Sequence, residues 1–141
     1  MVDRIAVVEK YFEAQNESRA EEVLALFTEE SEVYNVNLPP TRGRDGVRAF
    51  CQNLYERTAS RQFKTIDVAE GRDFIMAEWK VNMTFRRGAK VGDMEVMQPF
   101  DVQLRGINKF EFLPNSDRIM CLRIYHETST VAQKAKEFAK K

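Results

Sequence analysis

An α+β fold is predicted by two features of this chain and by their order. Apolar residues recur at helical spacing in three successive N-terminal segments, and from Arg61 onward the period changes from 3.6 to 2 and stays there. Helices first and a run of hairpin-linked strands second bury both apolar faces when a curved, mostly antiparallel sheet wraps around the helices. The expected shape is a cone-shaped barrel with one open end.

The first helix is expected over Asp3 to Asn16, with Asp3 as cap and Ile5, Val8, Tyr11 and Phe12 on its buried side. In SRAEEVLALF, Ser18 and Glu21 have capping-box spacing, and Ala20, Val23, Leu24 and Phe27 form a second stripe. The alternating stretch SEVYNVNLPPTRGRDGV follows as a short strand and turn, after which Asp45 is placed to cap a third helix bearing Val47, Phe50, Cys51 and Leu54. RQFKTIDVAE and DFIMAEWKVNMTFRR then make a hairpin. In the second of these, Ala77, Trp79, Val81, Met83 and Phe85 alternate with polar residues, so one face is apolar and the other wet.

RRGAKVGD leads to MEVMQPFDVQLRGINKFEF, where Val96, Phe100, Val102, Leu104, Gly106, Asn108, Phe110 and Phe112 share a face and Pro99 signals a bend. The turn LPNSD precedes a last strand with Met120, Leu122, Ile124 and His126 on one side. The closing TVAQKAKEFAKK sets Val131, Ala135 and Phe138 among lysines and is expected as a solvated tail or short helix. A single domain over 1–141 is expected, with its core over about residues 3–127.

Composition narrows the function. Lys plus Arg and Asp plus Glu both number 22 in 141 residues, which gives no electrostatic pull toward nucleic acid or an anionic membrane. Cys51 and Cys121 fall on apolar faces with no CxxC or Cys/His grouping, so neither a disulfide nor a zinc site is expected, and a reducing, cytoplasmic setting is. No P-loop, glycine fingerprint, HExxH or GxSxG occurs, and no cofactor or metal is expected. No membrane span is expected either.

The alternation also turns some polar groups inward. Asn35, Asn37, Asn108 and the lone histidine, His126, face the interior, with Tyr11 on the apolar side of the first helix. A buried amide without partners costs a few kcal/mol. Several such groups on an apolar lining therefore point to a small-molecule pocket, with Trp79, Met83, Phe110 and Met120 as its walls and Asn37 as a rim contact.

EKYFEAQNESRAEEVLALFTEESEVYN, PPTRGRDGVRAF and GINKFEFLPNSDRIMCLRIYHE resemble the SnoaL-like and ketosteroid-isomerase-like branch of the nuclear transport factor 2-like superfamily, over roughly Val7 to Glu127. The resemblance implies a cystatin-like cone and a homodimer packed on the outer surface of the sheet. In the isomerase an aspartate moves the proton while a tyrosine and a protonated aspartic acid hold the oxyanion. Tyr11 is similar to that tyrosine, whereas the base falls on Asn35 and the second acid on Asn108. Both acids are thus amides here, and Asn35 cannot take a proton.

A cofactor-independent isomerase, cyclase or hydratase therefore needs His126 as proton shuttle, with Tyr11 and Asn108 as oxyanion donors. The ligand expected is small and mostly apolar, with a carbonyl or hydroxyl. The alternatives are a non-catalytic binding module and a dimeric interaction scaffold.

Overall fold

The computed structural model describes residues 3–36 and 38–139. Its elements are α1 (Arg4–Asn16), α2 (Ala20–Leu24), β1 (Phe27–Asn35), β2 (Thr41–Arg42), α3 (Gly43–Arg57), β3 (Thr58–Gly71), β4 (Phe74–Phe85), β5 (Lys90–Val91), β6 (Met94–Glu95), β7 (Phe100–Phe112), β8 (Ile119–His126) and α4 (Ser129–Ala139). Six strands form one sheet in the order β2-β1-β8-β7-β4-β3, and β5 and β6 form a separate small hairpin. The α+β class and curved sheet are as expected. The sheet stays open between β2 and β3 rather than closing into a barrel, and β1 runs parallel to β8.

Each departure in detail has a local cause. Asp3 caps α1, its Oδ1 accepting from the Ala6 N–H at 3.0 Å. Ile5 is 37 % exposed, and Val7 takes the buried place expected of it. Ser18 does not cap α2. It sits at φ +58°, and its hydroxyl accepts from Arg61 instead, which leaves α2 to begin after Arg19 without a side-chain cap. Asp45 lies inside the first turn of α3, where its charge suits the helix dipole, and Arg42 occupies the cap position. The run from Met94 is interrupted over residues 96–99, the last of them Pro99, so β6 and β7 are separate strands.

The C-terminal segment is a packed helix. Val131 and Ala135 of α4 are buried, and Phe138 stacks on Phe100 at 5.5 Å, which in turn stacks on Phe85 at 5.0 Å. The lysines around it mask this apolar stripe in composition, yet covering β7 is what stabilises the helix.

Between α1 and the sheet, aromatic rings interlock. Tyr11 meets Phe110 edge-on at 5.1 Å, Phe12 meets Phe63 at 5.5 Å, and Phe63 meets Trp79 at 5.2 Å. Gly106, the β7 partner of Trp79, permits the last of these positions. A Cβ there would collide with the Trp79 ring and the Tyr125 carbonyl, so only glycine lets the indole lie across β7.

Candidate functional site

A partly enclosed cavity of about 110 Å³, below called the enclosed cavity, lies between the sheet, α1, α3 and α4. At ~10–15 Å³ per water it has room for several waters or a small ligand fragment. Its lining includes Tyr11 from α1, Asn35 from β1, Asn108 from β7 and His126 from β8. The four residues expected to carry the chemistry are therefore together. A larger, shallower hollow of about 790 Å³ lies beside it, between β1, the segment after it, α3 and the β5–β6 hairpin. Asn35, Phe50 and Arg57 line both spaces.

Strand register explains the gathering. Asn35 pairs with Ile124 across β1 and β8, and Ile124 pairs with Asn108 across β8 and β7, so the two asparagines stand in one row with Ile124 between them. His126, two residues along β8, points to the same face and pairs with Gly106.

The hydrogen bonds give each group a definite capability. Asn108 is buried, and its Oδ1 accepts from the Trp79 indole N–H at 2.9 Å. That bond fixes the amide orientation and leaves Nδ2 as a donor with no protein partner among the described residues. Nδ1 of His126 donates to the Glu127 carbonyl at 2.7 Å. A carbonyl only accepts, so in the neutral ring the proton resides on Nδ1 and Nε2 keeps its lone pair. Asn35 Oδ1 is sequestered and unpartnered, an acceptor without a donor.

Tyr11 is held by a buried network. Gln15 Nε2 donates to the Tyr11 hydroxyl at 3.2 Å, while Gln15 Oε1 accepts from Tyr55 at 2.7 Å. Burial drives the Tyr11 phenol well above its ordinary value, so it remains a proton donor and never a base. Arg61, only 2 % exposed, braces this network from neutral partners alone. It donates to the Gln15 carbonyl at 2.8 Å and the Thr58 hydroxyl at 2.9 Å, and its guanidinium covers the Tyr55 ring at 4.7 Å. Gln15 and Arg61 escaped the sequence reading, since polar residues at such positions read as solvated faces.

Among the expected walls, Trp79 and Met83 line the enclosed cavity. Phe110 does not; it is fully buried behind Tyr11 as core. Met120 is a correction of another kind. Ile119 pairs with Phe112 and Cys121 with Glu111, so Met120 is the extra residue of a bulge and is 39 % exposed on the outside. The bulge shifts the alternation that had placed it inside. Asn37 lies outside the described residues.

Arg57 is a lining residue absent from the sequence reading. It ends α3, and its spacing from Phe50 and Leu54 was the available signal, because residues at i, i+4 and i+7 share a helix face. No carboxylate lines the enclosed cavity among the described residues.

The comparisons with known proteins agree with this architecture. A sequence search of the curated proteins found no match. Among solved structures, an NTF2-like protein of unknown function from Burkholderia pseudomallei is similar with a TM-score of 0.78 at 15% identity, over 94% of this chain and 97% of that one. A SnoaL-like polyketide cyclase, so named, from Shewanella denitrificans gives 0.79 at 14% identity, over 95% and 97%. A protein from Xanthomonas campestris named as a polyketide cyclase gives 0.79 at 18% identity, over 94% and 96%. At such identities these likenesses concern the fold. The SnoaL-like domain profile matches residues 8–119, and the chain belongs to the SnoaL-like family.

Proposed function

We propose that the enclosed cavity is the active site of a cofactor-independent acid–base enzyme acting beside the carbonyl of a small, mostly apolar molecule. His126 Nε2 takes the α-proton, and the Asn108 Nδ2–H and Tyr11 O–H donate to the enolate oxygen as charge develops there. Isomerisation and intramolecular cyclisation share this enolate. The polyketide-cyclase names of two structural neighbours favour the second. The observation that carries the reading is the convergence of one free imidazole nitrogen and two free donors on a single apolar space.

The test is proton exchange. A panel of small apolar ketones in deuterated water is followed by NMR, and the protein is expected to speed loss of the α-proton signal. His126→Gln is expected to lower that rate by about 10²–10⁴-fold. A non-catalytic binding module is the second reading, favoured by the lack of any carboxylate in the lining. Saturable binding with no exchange above buffer would establish it.

The same family suggests a homodimer. Ile66, Ile107 and Tyr125 are exposed on the outer face of the sheet, the last two cross-strand partners, and a second copy of the chain would cover them.

A further inference from the structure

Arg57 is a guanidinium in search of an anion. Its Nη1 donates to Asn53 Oδ1 at 3.3 Å, and its Cζ lies 5.4 Å from the centroid of the Phe85 ring. Its Nε is sequestered from solvent with no hydrogen-bond partner, its Nη2 has none among the described residues, and it makes no ion pair with a described carboxylate. Burial pulls its pKa below the ordinary value, the sign of a desolvated charge, but an arginine stays ionised at any ordinary pH. The other desolvated arginine, Arg61, differs in this respect, since Nε, Nη1 and Nη2 are all satisfied.

The free edge is the informative one. Nε–H and the neighbouring Nη2–H form the side of the guanidinium that meets a planar carboxylate with two parallel hydrogen bonds. Arg57 lines both the enclosed cavity and the outer hollow, so its guanidinium stands where the two meet, with the apolar lining beyond it. The charged neighbours in the outer hollow do not supply the anion. Lys90 is a cation already paired with Glu95 at 3.2 Å, and Glu56 makes no bond to Arg57. A capping role for Arg57 at the end of α3 accounts for the charge but leaves the Nε without a partner.

We infer that Arg57 binds a carboxylate of the ligand at the cavity mouth, so that the ligand class is an apolar carboxylic acid whose body enters toward Asn108 and His126. This rests on the enclosed cavity being the ligand site and adds the charge of what enters it. A carboxylate fixed there by two bonds would present the far end of the molecule to His126 in one orientation, which an apolar lining alone would not do.

A matched pair of probes tests it. 3-Phenylpropionate and 3-phenylpropionamide differ in charge and little in shape. Binding is read from the fluorescence of Trp79, the one tryptophan of the chain, whose indole lies in the cavity wall. The wild-type protein is expected to bind the carboxylate at least about tenfold more tightly than the amide. Arg57→Gln should abolish that preference, bringing the affinity for the carboxylate down to that for the amide. Arg57→Lys keeps the charge without the planar fork and should restore only part of it. Melting curves of both variants establish that they are folded, and a variant that does not fold leaves the wild-type preference to decide. Equal binding of the two probes by the wild-type protein would overturn the role of Arg57 while sparing the cavity. Binding of neither would overturn both.

Discussion

Asn35 and Asn108 flank Ile124 in a single row across three strands, on the face that lines the enclosed cavity. Two strand spacings separate their backbones by roughly 10 Å, wide enough for a small ligand to lie between the side chains. The two amides have opposite needs. Asn108 gives its oxygen to Trp79 and offers a donor, whereas Asn35 holds an oxygen that nothing fills.

Asn108→Ala separates the two roles of that amide. It removes the oxyanion donor, with an expected rate loss of about 10²–10³-fold on any enolising substrate. It also strands the buried Trp79 N–H, an expected stability loss of ~1–3 kcal/mol. Kinetics beside chemical denaturation measure both. An unchanged rate in a folded variant would remove Asn108 from the mechanism.

Asn35→Asp installs a carboxylate in the cavity lining. With the cavity otherwise competent, α-proton exchange is expected to rise above the wild-type rate, and to do so even in the His126→Gln background. No gain in either background would show that a base at this position is not enough for enolisation.

The Gln15 network is expected to matter for stability more than its single side chain suggests. Gln15→Leu leaves the half-buried Tyr55 hydroxyl without its acceptor and frees Tyr11, with an expected loss of ~1–3 kcal/mol by urea unfolding. Because Tyr11 is also released, kcat should fall while binding of an apolar probe persists.

Alkaline pH should destabilise the fold. Burial pushes the Cys51 thiol from 9.0 up to about 11 and raises the phenols of Tyr11 and Tyr55 as well. The unfolded chain releases these protons first, so between about pH 9 and 11 it binds fewer protons than the native state and is favoured as pH rises. The associated stability is complete below pH 9 and lost through that window. The melting temperature should fall there, and by less in Cys51→Ala.

A chain ending at residue 127 tests α4. Val131 lines the cavity and Phe138 stacks on Phe100, so the truncated protein should lose several kcal/mol, at ~1.5–3 kcal/mol for each fully buried apolar side chain. Probe dissociation should also quicken, because one wall of the cavity is gone. Full-length stability and dissociation would show that α4 is dispensable.

Disruption of the outer face tests association. Ile107→Glu sets a charge in the middle of the exposed apolar row, and sedimentation is expected to show a dimer for the wild type and a monomer for the variant. A monomeric wild-type protein would refute the assembly.

Periodicity alone determined the three N-terminal helices and the long strands, the class of the fold, the inward turn of Asn108 and His126 and the buried side of Tyr11. A period of 2 or 3.6 is a local property, readable wherever one face meets a core. It failed at Met120, because a bulge shifts alternation by one residue and is specified by the neighbouring strand. It left α4 open between a solvated tail and a short helix, because the stripe of Val131, Ala135 and Phe138 gains its meaning only from Phe100 and Phe85 beneath it. Tertiary structure alone decided which polar groups lack partners. Arg61 and Arg57 are both partly desolvated arginines, and only the placement of Gln15, Ser18 and Thr58 around the first satisfies it. The row of Asn35, Ile124 and Asn108 depends likewise on β1 joining β8 in parallel, a pairing between residues far apart in the chain that no local pattern encodes.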